Sequence, residues 1–210
     1  MDSAHYFSVE PAGPEQRRRL EVSLAGRTVS VQTANHIFSP DGVDKGTAAM
    51  LRVVPEPPPA GSFLDIGCGW GPLALSLGLH SPAAEVAGVE VNDRAAQLCR
   101  DNAAALGLEK VSVYRPEEVP AGLTFDLIWS NPPIRVGKEA LHALLLQWLP
   151  RLNPGGQAFL VVQKNLGADS LQPWIAAALQ DRHPEEFTVS RFGTEKGFRI
   201  LQVVRSAQTP

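Results

Sequence analysis

The chain has 210 residues, of which 44% are hydrophobic and 20% charged, a composition that predicts one globular domain with a buried core. Its net charge of −3 excludes a general attraction to nucleic acid, so an RNA or DNA partner requires a local basic surface. No apolar stretch approaches the roughly 20 residues of a membrane helix, and the first ten residues lack the pattern of a secretory signal.

Cysteine and histidine are few, and their positions argue against crosslinks and metal sites. Cys68 and Cys99 are the only cysteines, so we expect no disulfide framework and a reducing, cytoplasmic location. The five histidines are scattered without ligand spacing, and we expect no metal. We also expect no membrane partner, and a monomer or a weak dimer in solution.

Residues 1–54 predict a small N-terminal appendage of β and α structure. Two apolar alternations, at residues 20–24 and 28–32, predict a hairpin around Ala25-Gly26-Arg27. A short helix is expected at 44–54. Residues 55–61 are rich in proline, which fixes φ and removes backbone donors, and they predict a stiff connector.

Residues 62–210 predict the catalytic domain. Strand and helix patterns alternate here, which indicates an α/β fold with a mostly parallel sheet and helices on both faces. The last two apolar segments are too close together for a crossover, so the last strand should be antiparallel. The predicted strands are 63–66, 85–89, 111–114, 125–129, 157–162, 187–191 and 198–204, and the predicted helices are 72–79, 94–106, 138–152 and 170–180.

A glycine-rich turn follows the first strand of this domain. Gly67, Gly69 and Gly71 allow unusual φ angles and a close approach of the backbone to a ligand. Their G-x-G-x-G spacing differs from the dinucleotide-binding G-x-G-x-x-G. Glu90 ends the next strand, where it can accept ribose hydroxyls, and Asp65 can organise the turn and face an ammonium group. These residues favour a cofactor such as S-adenosylmethionine (AdoMet); a tight turn with incidental glycines is the alternative.

The segment Asn131-Pro132-Pro133-Ile134 follows the fourth strand of the domain. An exocyclic amine of a purine is a poor nucleophile because its lone pair is delocalised into the ring. The side-chain oxygen of Asn131 and the carbonyl of Pro132 can accept its two N–H groups, and the prolines hold both acceptors in place. The segment therefore predicts methyl transfer to a planar amine, accelerated mainly by orientation. An Asn-Pro turn that only ends a strand is the alternative.

Together these motifs resemble the class I AdoMet-dependent methyltransferases with an N-P-P-[YFI]-type motif. A closer resemblance, from about His5 to Arg205, is to the catalytic half of the bacterial small-subunit ribosomal RNA guanine-N2 methyltransferase C family. It implies a Rossmann-like seven-stranded sheet with an antiparallel last strand, and closure of residues 44–47 over the methionine end of the cofactor. The segments that carry it are His5-Tyr6-Phe7-Ser8, Phe38-Ser39, 42–47, 131–138, 161–164 and Gly167-Ala168.

The motifs and the resemblance together predict three sets of site residues. The expected catalytic residues are Asn131, Pro132, Pro133 and Ile134. The expected cofactor-binding residues are Asp44, Gly46, Thr47, Asp65, Gly67, Cys68, Gly69, Gly71, Glu90, Val91 and Asn131. The expected substrate-binding residues are Phe38, Arg135, Lys138 and Lys164.

Two positions depart from the family pattern. Arg115-Pro116 stands where many relatives have an acidic residue that contacts the adenine amine of the cofactor. Ile134 stands where others have an aromatic ring that stacks on the target base, and we hypothesise that Phe7 or Phe38 covers the base instead. Full-length family members have a further N-terminal half, which leaves the ribosomal target open.

The leading interpretation is methylation of the exocyclic amine of a guanine in small-subunit ribosomal RNA or an assembly intermediate. Methylation of adenine in RNA or DNA, or of a protein glutamine, is the alternative with the same chemistry. A module that binds the cofactor and docks RNA without chemistry is the non-enzymatic alternative.

Overall fold

The computed structural model describes residues 13–207. The strands are β1 Arg17–Leu24, β2 Arg27–Ala34, β3 Ser62–Ile66, β4 Glu85–Val89, β5 Val111–Tyr114, β6 Phe125–Ser130, β7 Leu152–Gln163, β8 Phe187–Glu195 and β9 Phe198–Arg205. The α-helices are α1 Lys45–Val53, α2 Pro72–His80, α3 Asp93–Ala105, α4 Lys138–Trp148 and α5 Ala168–Arg182. No helix within residues 13–207 combines the length and the apolarity that a membrane crossing needs.

Strands β3 to β9 form one seven-stranded sheet in the order β5-β4-β3-β6-β7-β9-β8. The pairs β3–β4, β4–β5 and β6–β7 are parallel, and β9 runs antiparallel to both β7 and β8. Strands β1 and β2 form a separate two-stranded sheet. The predicted fold, a seven-stranded mostly parallel sheet with an antiparallel last strand and a small N-terminal sheet, is confirmed.

The chain separates into two compact units, each described by itself. The first unit contains the chain up to Asp44 together with Glu56–Ala121, and the second contains Lys45–Pro55 together with Gly122 onwards. The division predicted from the sequence, an appendage of residues 1–54, a connector of 55–61 and a domain of 62–210, stays a prediction.

In the first unit, the turn between β1 and β2 has the conformation that its two residues allow. Strands β1 and β2 pair up to Leu24 and Arg27, so Ala25 and Gly26 make a two-residue turn. Both have positive φ, 49° and 69°, as a type I′ turn requires. Helix α2 is apolar on all sides and buried from Leu73 to Leu79, because it packs against β3, β4, β5 and α3. This packing fixes the start of α2, where the glycine turn lies.

In the second unit two boundaries differ from those predicted. Helix α4 ends at Trp148 and not at residue 152, because Pro150 has no N–H to continue the helical hydrogen bonds. Strand β7 begins at Leu152, earlier than predicted, and an irregularity in its pairing with β6 accommodates Pro154 and Gly155. Alternation of apolar residues does not reveal a strand through such a segment.

Candidate functional site

The glycine turn of the first unit adopts a conformation that only glycine accepts readily. Gly67, Gly69 and Gly71 have φ angles of 74°, 57° and 107°. A Cβ atom added at Gly67 or Gly69 would meet nothing within 4 Å, so the space beside them is open to a ligand. At Gly71 it would lie 2.8 Å from the Cys99 Sγ atom. Two glycines thus permit ligand approach, and the third permits packing.

Glu90 connects the end of β4 to this turn. Its Oε2 atom accepts a hydrogen bond from the Gly69 N–H at 2.9 Å, and its Oε1 atom accepts from the N–H groups of Val91 and Asn92, both at 2.9 Å. Burial raises the pKa of Glu90, and the three N–H groups oppose that rise. A carboxylate has about four lone-pair sites, so one remains for a ribose hydroxyl. Glu90 therefore builds the turn as well as offering an acceptor.

Asp65 lies at the end of β3 and is 1% exposed. Its Oδ2 atom accepts from the Ala74 N–H of α2 at 2.9 Å, which agrees with the predicted role in organising the turn. Its Oδ1 atom has no hydrogen-bond partner among residues 13–207. Burial, and to a smaller extent the charge of Glu90, raises the pKa of Asp65 to about 8. A buried oxygen without a donor fits an ammonium group, which would supply the missing donor and favour the ionised carboxyl.

The pKa of Asp65 leads to a prediction for the AdoMet-free protein. The folded state keeps the Asp65 proton up to about pH 8, whereas the unfolded chain loses it near 3.8. The stabilisation that this proton contributes is complete below pH 3.8. Between pH 3.8 and about pH 8, the free energy of unfolding falls by up to about 1.4 kcal/mol per pH unit. We expect urea unfolding to show this loss in the wild type and a flatter profile in Asp65→Asn. Parallel profiles for the two proteins would contradict the prediction.

Cys68 lies inside the turn and is buried. Its hydrogen bond with Cys99 and its burial raise the pKa of the Cys68 thiol, so it stays protonated at neutral pH and is a poor nucleophile. Its side chain also lies against β4, because a Cβ atom at Gly88 would be 3.0 Å from the Cys68 Sγ atom. Cys68 therefore contributes packing to the turn.

The loop that carries Phe38 is attached to the glycine turn and to the start of α3. The Trp70 Nε1–H donates to the Ser39 carbonyl at 3.1 Å, and the Asn92 Nδ2 donates to the His36 carbonyl at 3.4 Å. Phe38 is 43% exposed on this loop. The segment His5-Tyr6-Phe7-Ser8, which also carried the resemblance, lies outside the described residues. Sequence reasoning missed Trp70 and Asn92, although the N–H of a buried indole usually finds a hydrogen-bond partner.

Asn102 of α3 is a buried residue that the sequence analysis also missed. Its Nδ2 atom donates to the carbonyls of Gln32 and Trp70 at 2.9 and 3.0 Å, and its Oδ1 atom accepts from the Gln32 N–H at 2.7 Å. One amide thus fastens β2 to the glycine turn. Its only signal in the sequence is a polar residue among the apolar residues that α3 buries.

The position after β5 departs from the family pattern, as expected from the sequence. Arg115 pairs with Asp93 at the start of α3, and a longer contact of 3.8 Å joins it to Glu117. Arg115 therefore occupies the position at which many relatives have a carboxylate, and its charge is paired with Asp93. Val91, which follows Glu90, is 36% exposed, and its contact with the cofactor stays a prediction.

In the second unit the acceptor segment forms a tight turn. The Ile134 N–H donates to the Pro132 carbonyl at 2.8 Å, and Pro133 has φ −73° and ψ 74°, an inverse γ-turn. The carbonyl oxygen of Pro132 has a second lone pair for another donor. The Asn131 Nδ2 donates to the Thr47 Oγ1 atom of α1 at 3.1 Å. That bond directs the amide nitrogen to Thr47 and the Oδ1 atom to the opposite side.

The remaining predicted residues are placed as follows. Gly46 and Thr47 are buried in the first turn of α1, in the second unit, and Asp44 belongs to the first unit. Arg135, Lys138 and Lys164 are exposed; the first two follow β6, and the third follows β7. No group of three or more His, Cys, Asp or Glu within residues 13–207 could hold a metal ion. The roles assigned to all of these residues stay predictions.

The open space at Gly67 and Gly69, the Glu90 carboxylate and the unpaired oxygen of Asp65 fit the ribose and the ammonium group of AdoMet. Together with the seven-stranded sheet, they define an AdoMet-dependent methyltransferase. The model of the methyltransferase small domain family matches residues 28–201, and the chain belongs to that family.

Three similar proteins extend this result. The chain is 32% identical to the uncharacterized protein YbxB of Bacillus subtilis over 95% of this chain and 98% of YbxB. It is 34% identical to ribosomal RNA small subunit methyltransferase C of Klebsiella pneumoniae over 63% of this chain. The structure of the T. thermophilus 16S rRNA N2 G1207 methyltransferase (RsmC), in complex with AdoMet and guanosine, matches 93% of this chain with a TM-score of 0.75 and 25% identity. The chain spans 40% of the Klebsiella enzyme and 52% of the T. thermophilus chain.

Proposed function

We propose that this methyltransferase modifies the exocyclic amine of a guanine in small-subunit ribosomal RNA. The observation that carries the proposal is the acceptor turn, in which the Thr47 bond orients the Asn131 amide and a γ-turn fixes the Pro132 carbonyl. Bound AdoMet supplies an electrophilic methyl group on a sulfonium.

The chain's own contribution to the reaction is to bind and reshape the amine. The Asn131 Oδ1 atom accepts one N–H of the amine, and the second lone pair of the Pro132 carbonyl accepts the other. These two bonds draw the nitrogen toward a tetrahedral geometry, so that its lone pair leaves the ring system. The methylated nitrogen is acidic enough to lose its proton to water, so no strong base is required of the protein.

Guanine is favoured over the other planar amines for two reasons. The Klebsiella and T. thermophilus enzymes are both named for small-subunit ribosomal RNA, and the second is named for a guanine N2 position. Ile134, a half-buried aliphatic residue, offers no ring to stack on an adenine or a glutamine amide. The base must be taken from a loop or flipped out of a helix to reach the acceptor turn.

Transfer of labelled methyl groups from AdoMet tests the proposal. Small subunits, large subunits, bare ribosomal RNA, DNA and a protein extract are offered in parallel, and the labelled nucleosides are identified by mass spectrometry. The expected product is N2-methylguanosine in small subunits or their RNA. Label in adenine or in protein glutamine would keep the chemistry and overturn the substrate. Intact AdoMet binding without transfer to any acceptor would favour a module that only docks RNA.

The exposed side chain of Phe38 leads to a second test. If its ring covers the extruded base in place of the missing aromatic at position 134, Phe38→Ala should lower kcat/KM for RNA by about tenfold, as for the loss of one base–aromatic contact worth about 1–3 kcal/mol. AdoMet affinity, measured by calorimetry, should stay near the wild-type value. Unchanged turnover in the Phe38→Ala, Phe7→Ala double variant would rule out this role for both rings.

A further inference from the structure

Charge is divided unevenly between the two units. The second unit, residues 45–55 and 122–210, has eleven Lys and Arg against seven Asp and Glu, a net charge of +4. The rest of the chain has eight against fifteen, a net charge of −7. A polyanion is therefore attracted to the second unit although the whole chain is acidic.

Six exposed cations of the second unit have no ion pair in the part of the chain that the structure describes. The sixth is Arg182, at the end of α5. The other five are Lys45, Arg135, Lys138, Lys164 and Lys196, and we call them the cationic edge. Other cations of this unit are neutralised by carboxylates: Arg52 by Glu195, Arg191 and Arg199 by Asp169, and Arg205 by Glu186. Apart from Arg182, the exposed charge of this unit that is available to a ligand is thus concentrated in the five residues of the cationic edge.

The topology gathers three of these cations at one end of the sheet. Strands β6 and β7 are parallel, so their carboxyl ends lie on the same edge. Arg135 and Lys138 follow β6, and Lys164 follows β7. This is also the edge at which Asn131 leaves β6.

The other two cations reach this edge through specific contacts. The Lys164 N–H donates to the Gly197 carbonyl at 2.9 Å, which places the β8–β9 hairpin turn, with Lys196, beside the end of β7. Lys45 starts α1 two residues before Thr47, whose hydroxyl accepts from the Asn131 Nδ2 atom. The cationic edge therefore lies at the end of the sheet at which Asn131 leaves β6.

Basic residues of the first unit do not offer a comparable surface. Arg17 pairs with Asp101 at 2.6 Å, and Arg18 pairs with Asp41 at 2.7 Å. Two of the three arginines that begin β1 are thus engaged in ion pairs within their own unit. Arg19 and Arg27 are exposed and make no ion pair among the described residues, but they belong to a unit whose net charge of −7 opposes the approach of an anion.

We propose that the cationic edge binds the phosphates of RNA that flank the nucleotide held at Asn131. This inference rests on the proposed function, and it adds Lys45 and Lys196 to the residues expected to touch the substrate. Lysine acts on phosphate as a point charge, which suits contacts that position a strand without reading its sequence. RNA binding then depends on this local cationic surface and little on the net charge of the whole chain.

The test measures binding to a 16S ribosomal RNA transcript at several salt concentrations. We compare the wild type with a Lys45→Gln, Lys164→Gln, Lys196→Gln triple variant. The matched control is Arg182→Gln, which removes an exposed cation of the same unit from the other end of α5. In the triple variant the slope of log K against log salt should become less steep by about three, and the Kd should rise by roughly tenfold or more. The control should bind as the wild type does.

Binding and chemistry are separated by the choice of assay, because RNA binding is measured without turnover and AdoMet binding is measured by calorimetry. If methyl transfer fails for every acceptor, the proposed function falls while the binding result still stands or falls by itself. A wild type that does not bind the transcript would overturn the cationic edge. A triple variant with an unchanged salt slope would also overturn it. The same holds if Arg182→Gln loses as much affinity as the triple variant loses per cation removed. Preferential binding of an acidic protein over RNA would assign the surface to a protein partner.

Discussion

Asn131→Ala should lower kcat for methyl transfer by about 10²- to 10³-fold, as expected when one preorganised group is removed from the reacting atoms. The variant loses the Oδ1 acceptor for the amine and the Nδ2 bond to Thr47. AdoMet affinity should fall far less than kcat, although Asn131 is also an expected cofactor-binding residue, because the substitution leaves intact Glu90 and Asp65, the residues expected to hold the ribose and the ammonium group. Single-turnover rates and AdoMet titrations on the same preparation give the two quantities separately.

Asn153→Ala is the matched control for that experiment. Asn153 is a half-buried asparagine of the same unit, and its Nδ2 atom donates to the Asp126 Oδ1 atom at 2.7 Å at the opposite end of the sheet. Its loss should cost stability of about 1 kcal/mol and leave kcat near the wild-type value. Turnover of Asn131→Ala within about threefold of this control, well below the effect of such a group, would exclude the acceptor role.

Glu90→Ala should have the second large effect, on AdoMet binding and on stability together. The loss of one charge-assisted hydrogen bond from the carboxylate to the ribose is by itself enough to weaken AdoMet binding by about ten- to a hundredfold. The N–H groups of Gly69, Val91 and Asn92 also lose their acceptor, so the glycine turn keeps only its backbone bonds to Val89 at the end of β4. We expect a fall of about 2 kcal/mol or more in the free energy of unfolding without AdoMet. Calorimetric titration and urea unfolding measure the two effects.

The glutamate at the start of β4 serves as the control. Glu85 begins β4 and pairs with Lys110 at 3.1 Å, with both side chains largely exposed. Glu85→Ala should change stability by less than about 1 kcal/mol and leave AdoMet affinity unchanged. Equal AdoMet affinity in Glu90→Ala and Glu85→Ala would show that the Glu90 carboxylate does not bind the cofactor.

Local sequence was sufficient to predict the order of the elements and the type of cofactor, although not the end of α4 or the start of β7. The hairpin is predicted by apolar alternation around Ala25-Gly26, and the structure uses these two residues in a turn with positive φ. Glycines at 67, 69 and 71 predict the left-handed conformations that they adopt. Both features depend on neighbours within a few residues, so composition and spacing reveal them.

Tertiary structure alone decided which side chains hold these segments in place. Asn102 bonds to Gln32 across 70 residues, Trp70 to Ser39 across 31, and Asn131 to Thr47 across 84. The free cations at 45 and 196 reach the edge beside Asn131 only through α1 and the β8–β9 hairpin. A side-chain hydrogen bond depends on the three-dimensional path of the backbone, which spacing along the chain does not encode. Sequence therefore determined the chemistry that the protein offers, and folding determined where each group stands.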